Sequence, residues 1–231
     1  MASEVDICNL ALGHLGDAAN LQSINPPDGS AQAEHCQRFY PIARDSLLEM
    51  HDWSFATRRA SLALLSTNPA SSWLYAYAQP AGMLNAISVL DPNTTDDTSV
   101  GVVVSSNMYE VPIPTVGVYA TQPYTMEILD DGTEIVLTNQ ANAVLRFVRR
   151  VTDTNKFSPL FLECLTWSLA GMLAGPVMKG KEGASMGASC RAMAFGQDGK
   201  TGLFGRATGS DAGNKRATTQ NRQQVAWING R

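Results

Sequence analysis

The segment that most resembles a chemical site is residues 194–201, which match a loose phosphate-loop pattern with alanine in the first glycine position. Such a loop binds phosphate where a strand leads into it and a helix leaves it, because backbone N–H groups then point at the anion. Here the preceding residues have helical character, and Gly202, Gly205 and Gly209 disfavour a following helix. Nucleotide binding is therefore a weak alternative, which predicts a melting shift with ATP and magnesium that Lys200→Ala abolishes.

The titratable residues show no spacing that favours catalysis or metal binding. His14, His35 and His51 have no partner four residues away on a helix, so no metal site is predicted. Asp96-Asp97 and Asp130-Asp131 lie in turn-like segments, where carboxylates accept local hydrogen bonds. A glycoside hydrolase needs two carboxyl groups across a cleft, which a sequence cannot place, so a hydrolase of cell-wall or capsule glycans stays an open alternative. No catalytic residue and no cofactor is predicted.

The charge of the chain is low and unevenly distributed. Charged residues make up 16% of the 231 residues, against about 25% in an average domain. Residues 200–231 hold six basic residues and one acid, which leaves residues 1–199 with a net charge of −9. An acidic body disfavours broad nucleic-acid affinity. The N-terminus is acidic where a signal peptide is positive, so export by that route is not expected, and the four scattered cysteines are expected to be reduced and mostly buried.

Serine residues mark three predicted helix starts. Ser3 with Asp6 resembles a capping box, Ser30 follows a loop, and Ser158 precedes a proline, which suits the first helical position. The apolar run 164–178 is 15 residues long, too short to span a bilayer, so no membrane partner is expected. We expect four helices, at residues 4–15, 31–52, 159–174 and 182–195, the third ended or kinked by Gly175-Pro176.

Residues 54–151 have the pattern of strands, because β-branched and aromatic residues alternate with polar ones between frequent turn residues. Asp130-Asp131-Gly132 is a hairpin signal. After residue 196, frequent glycine and few apolar residues favour an extended chain. The predicted strands are 74–78, 86–90, 100–104, 109–112, 116–120, 124–129, 134–137 and 144–151.

These elements predict an α+β fold in three parts. Residues 1–56 and 152–199 form a bundle of about four helices, residues 57–151 an inserted antiparallel β domain, and residues 200–231 an extended C-terminal arm. Trp53 and Phe55 are expected at the junction between bundle and β domain.

The arm carries the candidate binding residues. A tryptophan beside an isoleucine on a glycine-rich arm is typical of an interface anchor, and the alternative is an arm that folds back onto its own body. The predicted partner-binding residues are Arg206, Lys215, Arg216, Arg222, Val225, Trp227 and Ile228.

The order and spacing of several motifs resemble bacteriophage head-to-tail adaptor proteins, also called tail tubular protein A. The resemblance covers residues 5–60 and 144–195, while the central strands are generic and the fourth helix is unusually rich in glycine and alanine. It rests on residues 7–16 (ICNLALGHLG), Ser30, 33–36, Tyr40, 44–45, Leu48, His51, 53–56 (WSFA), 157–161 (FSPLF) and 169–170.

The resemblance implies a structural, non-enzymatic virion protein at the head-to-tail junction, assembled in the host cytoplasm. Its copies would form a dodecameric ring beneath the portal protein, with a downstream tail or nozzle protein on the other side. The helical part would face the portal, the arm would reach onto it, and the lumen would line the channel for DNA ejection with only transient, non-specific contact to DNA.

Overall fold

The computed structural model describes residues 2–18, 20–70, 72–92, 122–198 and 201–214, with side chains up to residue 212. It is a mixed α+β structure with five helices and two antiparallel sheets in these residues, as the predicted fold class requires. The chain divides into two compact units. The helical unit comprises the described residues of 1–56 and 150–214, and the β unit those of 57–149.

The first two helices begin where the sequence predicts. In α1 (Glu4–His14), Ser3 Oγ accepts a hydrogen bond from the Asp6 N–H at 3.1 Å and the Asp6 carboxylate accepts one from Ser3 N at 2.8 Å, which confirms the capping box. In α2 (Ala31–Glu49), Ser30 Oγ accepts from Ala33 N at 3.2 Å. This helix passes through Pro41 and ends three residues before the predicted residue 52.

The third and fourth helices are both longer than predicted. α3 (Pro159–Met178) continues through Gly175 and Pro176, so the expected end at residue 174 is wrong. Lys179 and Gly180 then take positive φ angles of 58° and 59°, and this sharp turn starts α4 (Gly180–Phe195). The chain reverses at these two left-handed residues rather than at the proline.

The prediction of an extended arm from residue 200 is wrong for residues 203–214, which form α5 (Leu203–Asn214). Gly205 and Gly209 lower its intrinsic helix propensity by about 1 kcal/mol each relative to alanine. Burial of Leu203, Phe204 and Ala207 offsets that cost, since α5 packs on α3 and α4. Residues 215–231 lie outside the described residues.

α3 is the central helix of the helical unit and contacts α1, α2, α4 and α5. With 20 residues and a mean hydropathy of 1.4 over its most apolar window, it is long and apolar enough to cross a membrane. The prediction that this segment is too short to span a bilayer is therefore wrong. In the structure 56% of that window is buried within the fold, as in a core helix.

The β unit contains two sheets. β1 (Thr57–Ser61), β7 (Val144–Arg149) and β4 (Met83–Leu90) form one in that order, and β2 (Ala63–Leu64), β3 (Tyr75–Ala78), β6 (Glu134–Thr138) and β5 (Tyr124–Ile128) form the other. The predicted hairpin at residues 130–132 joins β5 to β6. Five of the predicted strands are confirmed as β3 to β7, β1 and β2 were not predicted, and the strands expected at 100–104, 109–112 and 116–120 lie outside the described residues.

The two sheets share one hydrophobic core. Tyr77 and Val136 of the four-stranded sheet pack in one cluster with Val89, Leu145 and Phe147 of the three-stranded sheet, which makes a small sandwich. A second cluster on the other face of the four-stranded sheet contains Ala76, Ile135 and Leu137, covered by Leu65, Ala70, Trp73 and Leu129. β7 is the central strand of its sheet, and its Leu145 and Phe147 belong to the core between the sheets.

Candidate functional site

The structure describes one of the seven predicted binding residues of the arm. Arg206 lies on α5 and is exposed, whereas the other six lie in residues 215–231, outside the described residues. Because Asn214 ends α5, the basic C-terminal segment follows directly on a helix that is packed against α3.

The predicted junction residues Trp53 and Phe55 belong to an aromatic cluster of the helical unit. Trp53 is fully buried and its indole N–H donates to the Leu47 carbonyl at 2.9 Å. The Trp53 ring lies 5.0 Å from the Phe161 ring, edge to face, and 6.1 Å from the Phe204 ring of α5. The described contacts of this cluster therefore join α2, α3 and α5, and the predicted role at the β-domain junction stays a prediction.

Asp211 links the last turn of α5 to the segment after α2 through side-chain contacts. It is 7% exposed. Its Oδ1 accepts hydrogen bonds from the Ser54 N–H at 3.0 Å and the Ser54 hydroxyl at 2.5 Å, and its Oδ2 lies 3.2 Å from His51 Nε2. A carboxylate near a helix C-terminus faces the negative end of the helix dipole, so these partners must outweigh that repulsion. We call Ser54, His51 and Asp211 the α5 anchor.

The serine, histidine and aspartate of the α5 anchor are not arranged for nucleophilic catalysis. In a catalytic triad the histidine lies between the serine and the acid and removes the serine proton. Here the serine hydroxyl donates to the aspartate itself. The geometry is that of a carboxylate that holds two donors, which is a structural role.

Glycines allow α4 to lie very close to α3. A Cβ added at Gly183 would lie 2.7 Å from the Ala174 carbonyl oxygen, and one at Gly187 would lie 3.1 Å from that of Gly171. Gly183 and Gly187 therefore support close packing of the two helices. Their partner is α3 of the same chain.

A cleft of about 270 Å³ opens beside α2. Arg44, whose side chain is 8% exposed, pairs with Asp45 at 2.8 Å and lies 3.9 Å from Glu4. The Tyr40 hydroxyl is buried without a hydrogen-bond partner among the described residues, and burial raises the pKa of Tyr40. The charged residues of the lining are one acid, Glu4, and one base, Arg44, so the cleft offers a net-neutral polar wall. It is lined by Glu4, Ile24, Asn25, Gln37, Tyr40, Pro41 and Arg44.

The described residues of the phosphate-loop-like segment, 194–198 and 201, lie at the end of α4 and just before α5. α4 ends at Phe195 and leads into it, and the Asp198 carboxylate accepts hydrogen bonds from the Thr201 N–H at 3.0 Å and the Thr201 hydroxyl at 2.7 Å. A Cβ added at Gly202 would clash with Gly196 N, which shows how tight the turn is. The segment therefore follows a helix, as the sequence predicts. The expectation that no helix comes after it is wrong, since α5 begins at Leu203.

The histidines have individual structural contacts. His14 stacks on Trp167 with ring centroids 3.8 Å apart, and its Nε2 lies 3.3 Å from Thr166 Oγ1. Burial lowers the pKa of His14. Within the described part of the chain, no group of three His, Cys, Asp or Glu side chains is placed to hold a metal ion.

Large apolar side chains are exposed on both units. Met126 and Ile128 on β5 are 40% and 70% exposed. The others among the described residues are Leu10, Ile42, Met50 and Met193 of the helical unit and Leu64 and Leu74 of the β unit.

Comparison with known proteins identifies no relative, since no family model and no curated protein matches the chain.

Sequence reasoning missed the α5 anchor and the Arg44 cleft. Asp211 is the one acid in residues 200–231, and an acid near a helix end that repels it is a signal of a specific partner, but only once the helix itself is recognised. The cleft had no such signal, because Glu4, Asn25 and Arg44 are brought together by tertiary packing.

Proposed function

We propose that this chain is a structural virion protein, a phage head-to-tail adaptor that joins the portal to the tail. Its copies form a ring, dodecameric in the resembled family, and its role is mechanical. The sequence resemblance at residues 5–60 and 144–195 suggests the class. The structural observation that carries the proposal is the α5 anchor, which fixes the point from which the basic C-terminal segment continues.

The anchored helix suits an arm that binds a partner. Residues 215–231 contain four basic residues and no acid, together with Trp227 and Ile228. A segment that starts from a fixed point searches a smaller volume than one attached to a mobile linker, which raises its effective concentration at a nearby partner. Tryptophan, the residue type at position 227, is among those that dominate interface energy when a partner buries them.

The exposed apolar side chains support assembly into a ring. In a cyclic ring each copy buries two different patches, so apolar side chains are needed on more than one surface. Both units expose such side chains, including Met50 in one and Ile128 in the other. The net charge of −9 over residues 1–199 suits a channel through which DNA passes without strong binding.

The proposal is tested by electron microscopy and binding assays with the purified portal. The full chain should add a ring of density to the portal. A chain lacking residues 215–231 keeps α5 and should melt like the wild type but lose portal binding. Trp227→Ala should weaken binding by about tenfold or more, since interface tryptophans are often worth 2 kcal/mol or more.

The matched control is Gln220→Ala, a polar substitution in the same segment, which should bind like the wild type. Undiminished binding of the truncated chain would refute the role of the arm. A full chain that adds no density to the portal would refute the adaptor function itself.

A further inference from the structure

The charges of the β unit are separated between its two sheets. All four described basic residues, Arg58, Arg59, Arg146 and Arg149, lie on β1 and β7 of the three-stranded sheet. Four of the five described acids lie in residues 127–134 of the other sheet, which contain the turn of the β5–β6 hairpin. They are Glu127, Asp130, Asp131 and Glu134. We call residues 126–134 the acidic hairpin.

The acidic hairpin includes β5, one lateral edge strand of the sandwich, and the basic residues lie on the opposite edge strand β1 and on β7 beside it, the central strand of its sheet; we call this side the basic edge. β1 is an edge strand of its sheet, and the chain passes through Leu62 directly into β2, an edge strand of the other sheet. β5 is the opposite edge strand of that second sheet. It lies beside β4, since the Tyr124 hydroxyl donates to the Ala86 carbonyl at 3.2 Å and Gln122 pairs with Val89. The unit therefore has a basic edge and an acidic edge.

Arg58 and Arg149 are neighbours within the basic edge, in which Arg59 is exposed as well. Arg58 is opposite Phe147 in the register, so Arg149 is its diagonal neighbour on the same face. Both side chains are exposed. Like charges in neighbouring positions on a sheet repel each other, and an acidic surface would relieve that repulsion.

The acidic hairpin combines charge with exposed apolar surface. Ile128 is 70% exposed and pairs across the strands with the exposed Glu134, and Met126 on the same face of β5 is 40% exposed. Charged residues alone on an edge strand are explained as protection against aggregation. An exposed isoleucine and methionine on the same edge work against protection and are typical of an interface.

We infer that the acidic hairpin of one copy docks on the Arg58–Arg149 surface of the next copy. The occupant is a second copy of this chain because the complementary surface is present on the same unit, at its opposite edge. A contact between two different edges is heterologous, and repetition of such a contact closes a ring when the rotation allows it. This inference rests on the proposed function and names the subunit contact of the ring.

Charge reversal in the full-length chain tests the contact by sedimentation velocity at low salt and by assembly on the portal. Asp130→Lys with Asp131→Lys should weaken self-association by about tenfold or more, as should Arg58→Glu with Arg149→Glu. An equimolar mixture of the two double variants should associate, because each restores one complementary contact. High salt should weaken the wild-type contact. Lys181→Glu on α4 is the exposed control and should associate like the wild type.

The outcomes separate this inference from the proposed function. A wild-type chain that stays monomeric both in solution and on the portal overturns the contact, as do reversed variants that assemble like the wild type. Hairpin variants that self-associate normally but lose a tail partner would assign the hairpin to that partner and overturn docking on a second copy. Normal rings from every variant leave the adaptor function standing, whereas the absence of any portal binding by the wild type removes it.

Discussion

Replacement of Asp211 by alanine should release α5 from the helical unit without unfolding the rest. Asp211 accepts two hydrogen bonds from Ser54 and lies 3.2 Å from His51 Nε2. The other buried side chains described on α5 are Leu203, Phe204 and Ala207, which are one to two turns away. Among the described side chains of the last turn, Asp211 is the one that is buried, so we expect its loss to loosen that turn first.

The size of the effect follows from these contacts. Hydrogen bonds to a charged group contribute about 1.5–3 kcal/mol each, so the two from Ser54 amount to about 3–6 kcal/mol at most. Ser54 is exposed, and water can replace part of this. Alanine also removes the unfavourable charge at the helix C-terminus and improves helix propensity, about 1 kcal/mol together. A net loss of about 1–3 kcal/mol in the docking of α5 is expected.

Native-state hydrogen exchange measures this loss directly. Exchange protection of α5 should fall by about tenfold to a hundredfold, while the protection of α3 changes little. Ser210→Ala, an exposed neighbour on the same helix, is the control and should change stability by less than about 0.5 kcal/mol. Unchanged protection in α5 would show that the carboxylate contributes nothing to docking. An equal loss in α3 and α5 would show that α5 does not open separately.

Two further predictions concern close packing and acid stability. Gly183→Ala should destabilise the protein by about 1–3 kcal/mol in urea titrations, because the new Cβ would lie 2.7 Å from the Ala174 carbonyl oxygen. The control is Gly13→Ala in α1, where the new Cβ meets nothing within 4 Å, and it should raise stability by up to about 1 kcal/mol. Hydrogen bonds from Ser30 and Gln22 lower the pKa of Asp28 to about 2, so Asp28 contributes stability above pH 4 that is lost as the pH falls towards 2. Asp28→Asn should therefore reduce the dependence of stability on pH between about pH 4 and 2. An unchanged Asp28 pKa in the Ser30→Ala variant, measured by NMR, would contradict the assigned cause.

The parts of the fold that were predictable from the sequence are those fixed by local chemistry. Ser3 with Asp6, Ser30, and Ser158 before a proline each specify a helix start through hydrogen bonds made within three residues. The hairpin at residues 130–132 is specified in the same way by its turn.

The errors arose where tertiary contacts override local preference. α5 contains Gly205 and Gly209 and looked unable to form a helix, but Phe204 in the aromatic cluster and Asp211 in the α5 anchor stabilise it from outside. Pro176 looked like a helix end, yet α3 continues past it because the chain reverses only at Lys179.

The low charge of the chain has different causes in its two units. In the helical unit, Gly183 and Gly187 let α4 approach α3 within the same chain. The small, uncharged residues of this contact are therefore explained by folding and need no partner. In the β unit the described charges are concentrated on β1, on β7 and in the acidic hairpin, and the contacts given for the described residues do not account for the exposed Met126 and Ile128. Substitutions that impair assembly while leaving the melting temperature unchanged are therefore expected in the acidic hairpin and at Arg58, whereas substitutions on the α3–α4 contact should alter stability first.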